Sequence, residues 1–295
     1  MKSVNLRGII STVVTPFDDN DQVDYDLLRS DVRYLLDSGV HGICACGSTG
    51  EGQTLSAEES AEICRVVVEE VAGAVPVVGG IIRNSTAEVL TYARALKAAG
   101  VDALQITPVH YVFAPSDDQT VDYYRTIGTE IGLPIVVYNV VPWALVRTPV
   151  LRRLIEIPEV VAIKQSGGDM HLLADILAFF RDDITVLAAL DDLHYPAFAL
   201  GAHGALAAIP TVTPKLSVQL WDAVQAGDHK RARELHEAIL RVWRELDGPD
   251  LPERLKAALN LQGRKVGRPR HPFTPAAPET VERIRTVLDA AGLLT

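Results

Sequence analysis

Long hydrophobic runs and an excess of basic residues are absent from this 295-residue sequence, and cysteine is scarce. No apolar stretch approaches the roughly 18 residues that a membrane-spanning helix requires. The first residues, Met1 to Arg7, lack the apolar core of a secretory signal. We therefore expect a cytoplasmic protein that makes no membrane contact.

Acidic residues outnumber basic ones by 38 to 28, which gives a formal net charge of -10. A broad nucleic-acid footprint needs a basic surface, so no nucleic-acid partner is expected. The one basic cluster, Arg264 to Arg270, is short and interrupted by Pro269. A solvated loop or a contact within a tetramer explains this cluster better than a nucleic-acid patch.

The three cysteines, Cys44, Cys46 and Cys64, lie in apolar surroundings. Cys44 and Cys46 alternate along a predicted strand, so their side chains point to opposite faces and are unsuited to share a metal ion. We interpret all three as reduced core residues, and we predict no metal site.

Short apolar runs alternate with helical patterns up to about residue 210. Ser56 and Ser85, each followed by glutamate three residues later, mark helix starts, and Gly39 and Gly100 mark helix ends. The count is eight strands, each followed by a helix, which predicts an α/β fold of the (β/α)8 TIM barrel type. A doubly wound sheet is the rival, but no Gly-x-Gly-x-x-Gly follows the first strand.

From about Thr211 the sequence is helical and contains no further strand pattern. This is more helix than the last unit of a barrel needs. We predict a barrel over residues 1–210, and the last barrel helix with a C-terminal helical extension packed on the barrel over residues 211–295.

Lys164 interrupts a buried strand, because it directly follows the apolar run Val160 to Ile163. A primary amine in such a place must offset its desolvation. It either forms an ion pair with a carboxylate or loses its proton more easily and attacks a carbonyl. This stretch alone leaves both interpretations open.

The carboxyl ends of the other strands offer partners for Lys164, since active sites of barrels gather at that face. After the second strand, Gly47, Ser48 and Thr49 open a loop whose N–H groups could hold an anion, although it could equally be a plain turn. Tyr138 ends the fifth strand, next to the Lys164 strand; alone it would more often be a packing residue. Together they suit Schiff-base chemistry on a 2-keto acid, with the amine as nucleophile and the phenol as proton shuttle.

Further candidates follow the other strands. Tyr111 is a possible second phenol for proton relay, and Ser166 lies at the border of the substrate. Asp191 and its neighbour Asp192 either hold substrate hydroxyls or cap the following helix. Ala207, on the last strand, is a further candidate for contact with the substrate. His203 is expected at the opposite face, with no catalytic role.

Several motifs together resemble the dihydrodipicolinate synthase / N-acetylneuraminate lyase family over nearly the whole chain. They are Gly47-Ser48-Thr49-Gly50-Glu51, Asn84-Ser85-Thr86-Ala87-Glu88, Tyr138-Asn139, Ile163-Lys164, Gly201-Ala202-His203-Gly204 and Arg268-Pro269-Arg270-His271-Pro272. The resemblance implies a (β/α)8 barrel, usually a homotetramer. It also implies that Lys164 forms the pyruvate Schiff base, that Tyr138 moves protons, and that Ser48 and Thr49 bind the carboxylate.

The sequence departs from the synthases of that family at two places. Those enzymes usually place an arginine shortly after the Tyr-Asn pair, where this chain has Trp143 and Ala144, with Arg147 farther on. They also carry a tyrosine pair after the fourth strand, where this chain has Val109-His110. Ala208 stands where sialate lyases offer a serine to the sugar.

The leading hypothesis is therefore a class I aldolase or lyase that makes or cleaves a carbon–carbon bond between pyruvate and an aldehyde. Its covalent lysine Schiff base would need no cofactor. The alternative within the family is a 4-hydroxy-tetrahydrodipicolinate synthase, which condenses pyruvate with aspartate semialdehyde. An alternative of another class is a non-catalytic sensor that binds a keto acid.

Overall fold

Eight parallel strands form a closed barrel in which each strand pairs with its neighbours in chain order. The computed structural model describes residues 4–167 and 169–294. Nearly every strand residue is buried, because helices cover the outside and side chains fill the inside. The predicted (β/α)8 barrel is confirmed. The strands are β1 (Gly8–Thr12), β2 (Gly42–Ala45), β3 (Val77–Ile81), β4 (Ala103–Ile106), β5 (Ile135–Asn139), β6 (Val160–Gln165), β7 (Thr185–Ala188) and β8 (Gly204–Ala207).

A helix follows each strand, and the predicted caps form. Ser56 accepts a hydrogen bond from the Glu59 N–H, and the Glu59 carboxylate accepts one from the Ser56 N–H, at 3.1 and 2.9 Å. Gly39, at a helix end, has a positive φ of 81°, a conformation that glycine adopts without strain. The barrel helices are α1 (Tyr25–Asp37), α2 (Ala57–Val71), α3 (Thr86–Ala98), α4 (Asp117–Ile131), α5 (Thr148–Leu154), α6 (Met170–Phe180), α7 (His194–Ala199) and the short α8 (Ile209–Val212).

Within the described residues, four more helices follow the barrel: α9 (Pro214–Gln225), α10 (His229–Leu246), α11 (Leu251–Leu261) and α12 (Pro278–Ala290). They pack on one another and on the barrel; Trp221 of α9, for example, meets Phe198 of α7 edge to face. No helix in the part of the chain that the structure describes is long and apolar enough to cross a membrane.

The basic segment between α11 and α12 is folded onto the barrel, so its interpretation as a solvated loop is wrong. The buried Arg264 guanidinium forms an ion pair with Asp31 of α1 and donates to the Thr211 carbonyl. Arg270 donates to the Glu59 carboxylate at 3.0 Å. Arg264 and Arg270 therefore form contacts within this chain, which the composition of the segment could not show.

Two apolar clusters separate the inside of the barrel from the layer beneath the helices. Cys44 belongs to the inner cluster, whereas Cys46 and Cys64 belong to the outer one. The predicted opposite orientation of Cys44 and Cys46 is confirmed, and all three thiols are buried and free. The Cys46 and Cys64 sulfurs lie 3.9 Å apart.

His194, the first residue of α7, is buried in the outer layer with only 1% of its surface exposed. Its ring stacks on Phe198 at 5.6 Å, and neither ring nitrogen has a hydrogen-bond partner among the described residues. Burial, with a smaller contribution from His236, lowers the pKa of His194 to about 3. The folded protein therefore disfavours the protonated ring.

We expect acid to destabilise the protein through His194. The unfolded chain takes up this proton near pH 6.5 and the folded chain only near pH 3, so stability is lost as pH falls between those values. The free energy of unfolding should fall by about 2 kcal/mol between pH 7 and pH 5 on this account. Denaturant titrations should show that His194→Leu removes this loss. Phe198→Leu, which shrinks the same cluster without removing a titrating group, should leave the loss in place.

Candidate active site

Lys164 and Tyr138 lie side by side at the carboxyl end of the barrel. β5 pairs with β6 in the register that places Tyr138 opposite Lys164. Both side chains point inward, since Val136 and Ala162, two residues earlier, belong to the inner cluster. The Lys164 Nζ atom lies 3.9 Å from the centre of the Tyr138 ring, which is a cation–π contact. Each residue is 4% exposed.

The ion-pair interpretation of Lys164 finds no partner among the described residues, because no carboxylate there forms a salt bridge with its amine. The charge of Lys164 does reach Asp191, where it opposes the effect of burial on that carboxyl. Burial dominates and raises the pKa of Asp191 to about 6. The Lys164 amine therefore interacts with the Asp191 carboxyl electrostatically without forming a salt bridge with it.

The loop after β2 presents open N–H groups beside this pair. The Gly47 carbonyl accepts hydrogen bonds from the Gly50 and Gly52 N–H groups, both at 3.0 Å. The N–H groups of Ser48 and Thr49 begin the resulting 3-10 turn and have no partner among residues 4–167 and 169–294. Free N–H groups at the start of a turn can hold an anion.

Ser48 joins this loop to the barrel interior. Its Oγ atom lies 3.3 Å from the Tyr138 hydroxyl, so a proton can pass between the two oxygens. The tight turn requires glycine at position 52, because a Cβ atom there would lie 1.9 Å from the Cys46 carbonyl oxygen. The structure thus brings together Lys164, Tyr138 and the predicted loop.

Gln105 of β4 was missed by the sequence analysis. It is fully buried inside the barrel, and its Nε2 atom has no hydrogen-bond partner among the described residues. A Cβ atom on Gly47 would lie 3.5 Å from that nitrogen, so the amide sits beneath the loop. The signal that could have found it is the one that marked Lys164, a polar residue within a buried apolar strand.

Three other candidate residues form no hydrogen bond with Lys164 among the described residues. Tyr111 is 77% exposed on the loop after β4, where its N–H donates to Asn84 Oδ1 at 2.8 Å. Ser166 is half-buried, and its N–H donates to the Asn139 carbonyl at 3.1 Å. Ala207 follows the inward-facing Leu206, so its side chain faces the helices, while its carbonyl accepts from Thr12 Oγ1 at 3.2 Å.

Neither aspartate after β7 caps the next helix, which corrects that alternative. The N-cap residue of α7 is Leu193, and no side chain caps the helix there. Asp191 Oδ1 instead accepts the Ile209 N–H of α8 at 2.6 Å. Asp192 forms an ion pair with Arg244 of α10 at 3.0 Å. Asp191 therefore stays at the carboxyl end of the barrel, and Asp192 is engaged at the surface.

His203, as expected, lies at the opposite end, where its Nδ1 accepts the Val186 N–H.

The rim above the site is aromatic and apolar. Trp143 is 65% exposed, and its indole N–H donates to the His110 carbonyl at 2.8 Å. This contact joins the loop after β5 to the loop after β4, which also exposes Tyr111, Val112 and Phe113.

Comparisons with known proteins agree over the whole length. The model of the dihydrodipicolinate synthetase family matches residues 5–291. The 4-hydroxy-tetrahydrodipicolinate synthase of Methanopyrus kandleri is 34% identical over 293 residues, which cover 98% of this chain and 97% of that protein. The protein of the same name from Methanothrix thermoacetophila is 35% identical over 293 residues, covering 98% of each.

Solved structures show the same barrel. Dihydrodipicolinate synthase from Aquifex aeolicus superposes with a TM-score of 0.92 at 29% identity, covering 98% of this chain and 99% of that one. A structure of CdNal from Clostridium difficile in complex with mannosamine has a TM-score of 0.90 at 22% identity, covering 98% and 100% of the two chains. The second likeness is one of fold alone.

We expect Asp191→Asn to stabilise the protein at alkaline pH. The folded pKa of about 6 exceeds the ordinary 3.8, so the ionised carboxyl weakens the fold above pH 6 and does not below pH 3.8. The amide keeps an acceptor for the Ile209 N–H, and the gain at pH 8 should be about 1 to 3 kcal/mol. Thermal unfolding from pH 4 to 8 measures it, and a pH-independent difference would contradict the assignment. Asp191→Ala, which loses the acceptor, should be less stable than Asp191→Asn throughout.

Proposed function

The chain belongs to the dihydrodipicolinate synthetase family, and on this basis we propose that it is a class I aldolase that forms a Schiff base between Lys164 and pyruvate. Carbon–carbon lyase chemistry follows from the family. The observation that supports these residue roles is the buried contact of the Lys164 amine with the Tyr138 ring. The Tyr138 hydroxyl in turn contacts Ser48, beside the two open N–H groups of the loop after β2. The proposed substrates are a 2-keto acid and an aldehyde.

The first half of the proposed reaction captures the keto acid. Its carboxylate accepts hydrogen bonds from the Ser48 and Thr49 N–H groups, which places the ketone carbon against Lys164. The neutral amine attacks that carbon, and the ketone oxygen takes up a proton to give a carbinolamine. Loss of water then leaves a protonated Schiff base. The Tyr138 hydroxyl, with Ser48 Oγ behind it, supplies and accepts the protons.

The second half makes the carbon–carbon bond. The Schiff base draws electrons from the methyl carbon, which loses a proton and becomes an enamine carbon. That carbon attacks the aldehyde carbonyl, whose oxygen takes up a proton, and water releases the product from Lys164. Cleavage is the same sequence in reverse. The iminium nitrogen is the electron sink, so we propose that the reaction uses no metal and no cofactor.

Pyruvate with borohydride should reduce the Schiff base and attach a stable adduct to Lys164. Peptide mass spectrometry should find the added mass on the peptide that contains Lys164, and Lys164→Ala should abolish it. The control is Lys97→Ala. The Lys97 amine lies on an outer helix and donates a hydrogen bond to the Ile131 carbonyl, so its removal should leave the adduct on Lys164 unchanged. Wild-type protein without an adduct at Lys164 would overturn the proposal. Pyruvate binding by calorimetry that survives Lys164→Ala intact would instead support a non-catalytic sensor.

Aspartate semialdehyde is one candidate for the aldehyde partner, because curated relatives at 31–35% identity are named 4-hydroxy-tetrahydrodipicolinate synthase. Trp143 occupies the region in which the resemblance leads one to expect an arginine for the second carboxylate. Arg147 is exposed at the start of α5. An aldehyde with an apolar or aromatic group fits the rim around Trp143 better.

We expect a screen of aldehydes and 2-keto acids, followed by the pyruvate consumed or released, to show faster turnover of an apolar or aromatic aldehyde than of aspartate semialdehyde. Tyr138→Phe keeps the ring beside Lys164 but removes the hydroxyl, so turnover of the best substrate should fall about 10²- to 10⁴-fold. Preferred turnover of aspartate semialdehyde, lost in Tyr138→Phe, would establish the synthase instead.

We further propose a cytoplasmic homotetramer. The exposed apolar loop of Tyr111, Val112 and Phe113 supports contact between subunits, since large exposed apolar patches commonly mark contacts between proteins. Light scattering at several protein concentrations tests the number of subunits.

A further inference from the structure

Glu51 ends the loop that offers the Ser48 and Thr49 N–H groups, and its surroundings are unusual. Its backbone is left-handed, with φ at 56°, a region that residues other than glycine rarely adopt. Its side chain is fully buried. A charged side chain on a strained turn needs fixed partners to stay there.

Those partners come from the C-terminal extension. The Lys256 Nζ atom of α11 lies 2.8 Å from Glu51 Oε1, and Lys256 is only 2% exposed. The other carboxylate oxygen, Oε2, accepts the Arg270 N–H at 2.9 Å. Residues more than two hundred positions away thus hold the end of the loop.

The Lys256 ammonium also links the loop to the segment that follows β1. It donates to the Thr15 carbonyl at 2.6 Å and to the Arg268 carbonyl at 2.7 Å, while its contact with Glu51 is an ion pair. The Thr15 hydroxyl in turn donates to the Gly50 carbonyl at 2.7 Å. Gly50 and Glu51 are therefore held both by the segment that follows β1 and by the C-terminal extension.

Stability alone is a weak reason for this arrangement. A buried ion pair loses much of its attraction to desolvation, and well-packed apolar residues often serve the fold as well. What the ion pair supplies, together with the bonds of Lys256 to two carbonyls and of Glu51 Oε2 to the Arg270 N–H, is a single geometry. The pair imposes that geometry on the turn, and the open N–H groups of Thr49 and Ser48 lie two and three residues before Glu51.

We propose that Glu51 and Lys256 are positioning residues that fix the Ser48 and Thr49 N–H groups in the orientation needed to bind the carboxylate of the keto acid. The inference rests on the proposed function for the identity of the ligand. The geometric part, that the pair orders the loop, holds independently of it. Neither residue is among the proposed contacts with the substrate.

The test removes both charges at once with Glu51→Gln/Lys256→Met, which leaves no unpaired buried charge. Rates of borohydride trapping are measured against pyruvate concentration. The half-saturating concentration should rise about tenfold or more, because loosely oriented N–H groups hold the carboxylate less well. The limiting rate should change much less, since Lys164 and Tyr138 are untouched. Lys256→Met alone leaves the Glu51 carboxylate buried without its cation and should be the least stable variant.

The matched control is Asp31→Asn/Arg264→Met. This pair is also buried, and its arginine also donates to a backbone carbonyl, that of Thr211, but it does not touch the loop. Both double variants should lose comparable stability. Only the first should change the half-saturating pyruvate concentration. An unchanged concentration in the first, or an equal rise in the two, would overturn the inference.

Amide hydrogen exchange separates failure of this inference from failure of the proposed function. Peptides that cover the loop should exchange faster in the Glu51/Lys256 variant than in wild type, and not in the control variant. If wild-type protein forms no pyruvate adduct, the proposed function fails, and the exchange of the loop still decides whether the pair orders it. Wild-type exchange in the Glu51/Lys256 variant would refute the positioning role in that case as well.

Discussion

The register between β5 and β6 is the constraint on which the candidate site depends, because it places Tyr138 directly beside Lys164. Side chains alternate between the two faces of a strand, so a slip of one residue would turn one of the two away from the barrel interior. The register is held by apolar packing, with Val136 and Ala162 in contact with the inner cluster one layer below. The placement of Lys164 and Tyr138 at the carboxyl end of the barrel therefore depends on the packing of the inner apolar cluster, which forms the floor of the site.

The polar layer above that floor is assembled from distant parts of the chain. The Tyr138 ring gives the Lys164 amine a cation–π contact, and no carboxylate among the described residues forms a salt bridge with that amine. The loop after β2 supplies open N–H groups next to the Tyr138 hydroxyl. The end of that loop is bonded to α11, which lies beyond the barrel. The C-terminal extension is thus part of the site's support as well as a cover for the barrel.

Several errors of the sequence analysis have one physical cause. Arginines between Arg264 and Arg270 suggested a solvated loop, yet Arg264 and Arg270 pair with acids from α1 and α2. Asp191 suggested a cap for the next helix, yet its carboxylate bonds to α8, after another strand. Gln105 drew no attention, although it lies under Gly47 inside the barrel. In each case the partner is distant in sequence, and local pattern carries no information about it.

The sequence by itself determined the eight strand-and-helix units, most helix ends and the identity of Lys164 and Tyr138 as residues worth examining. Periodicity, caps and a polar residue in an apolar run are local properties, and the chain has to satisfy them wherever it folds. Only the tertiary structure decided that the Tyr138 hydroxyl meets Ser48, that Tyr111 stays exposed in this chain, and that Glu51 is paired with Lys256. Those facts depend on closure of the barrel and on the path of the C-terminal extension, which bring side chains together across distances that no local pattern spans.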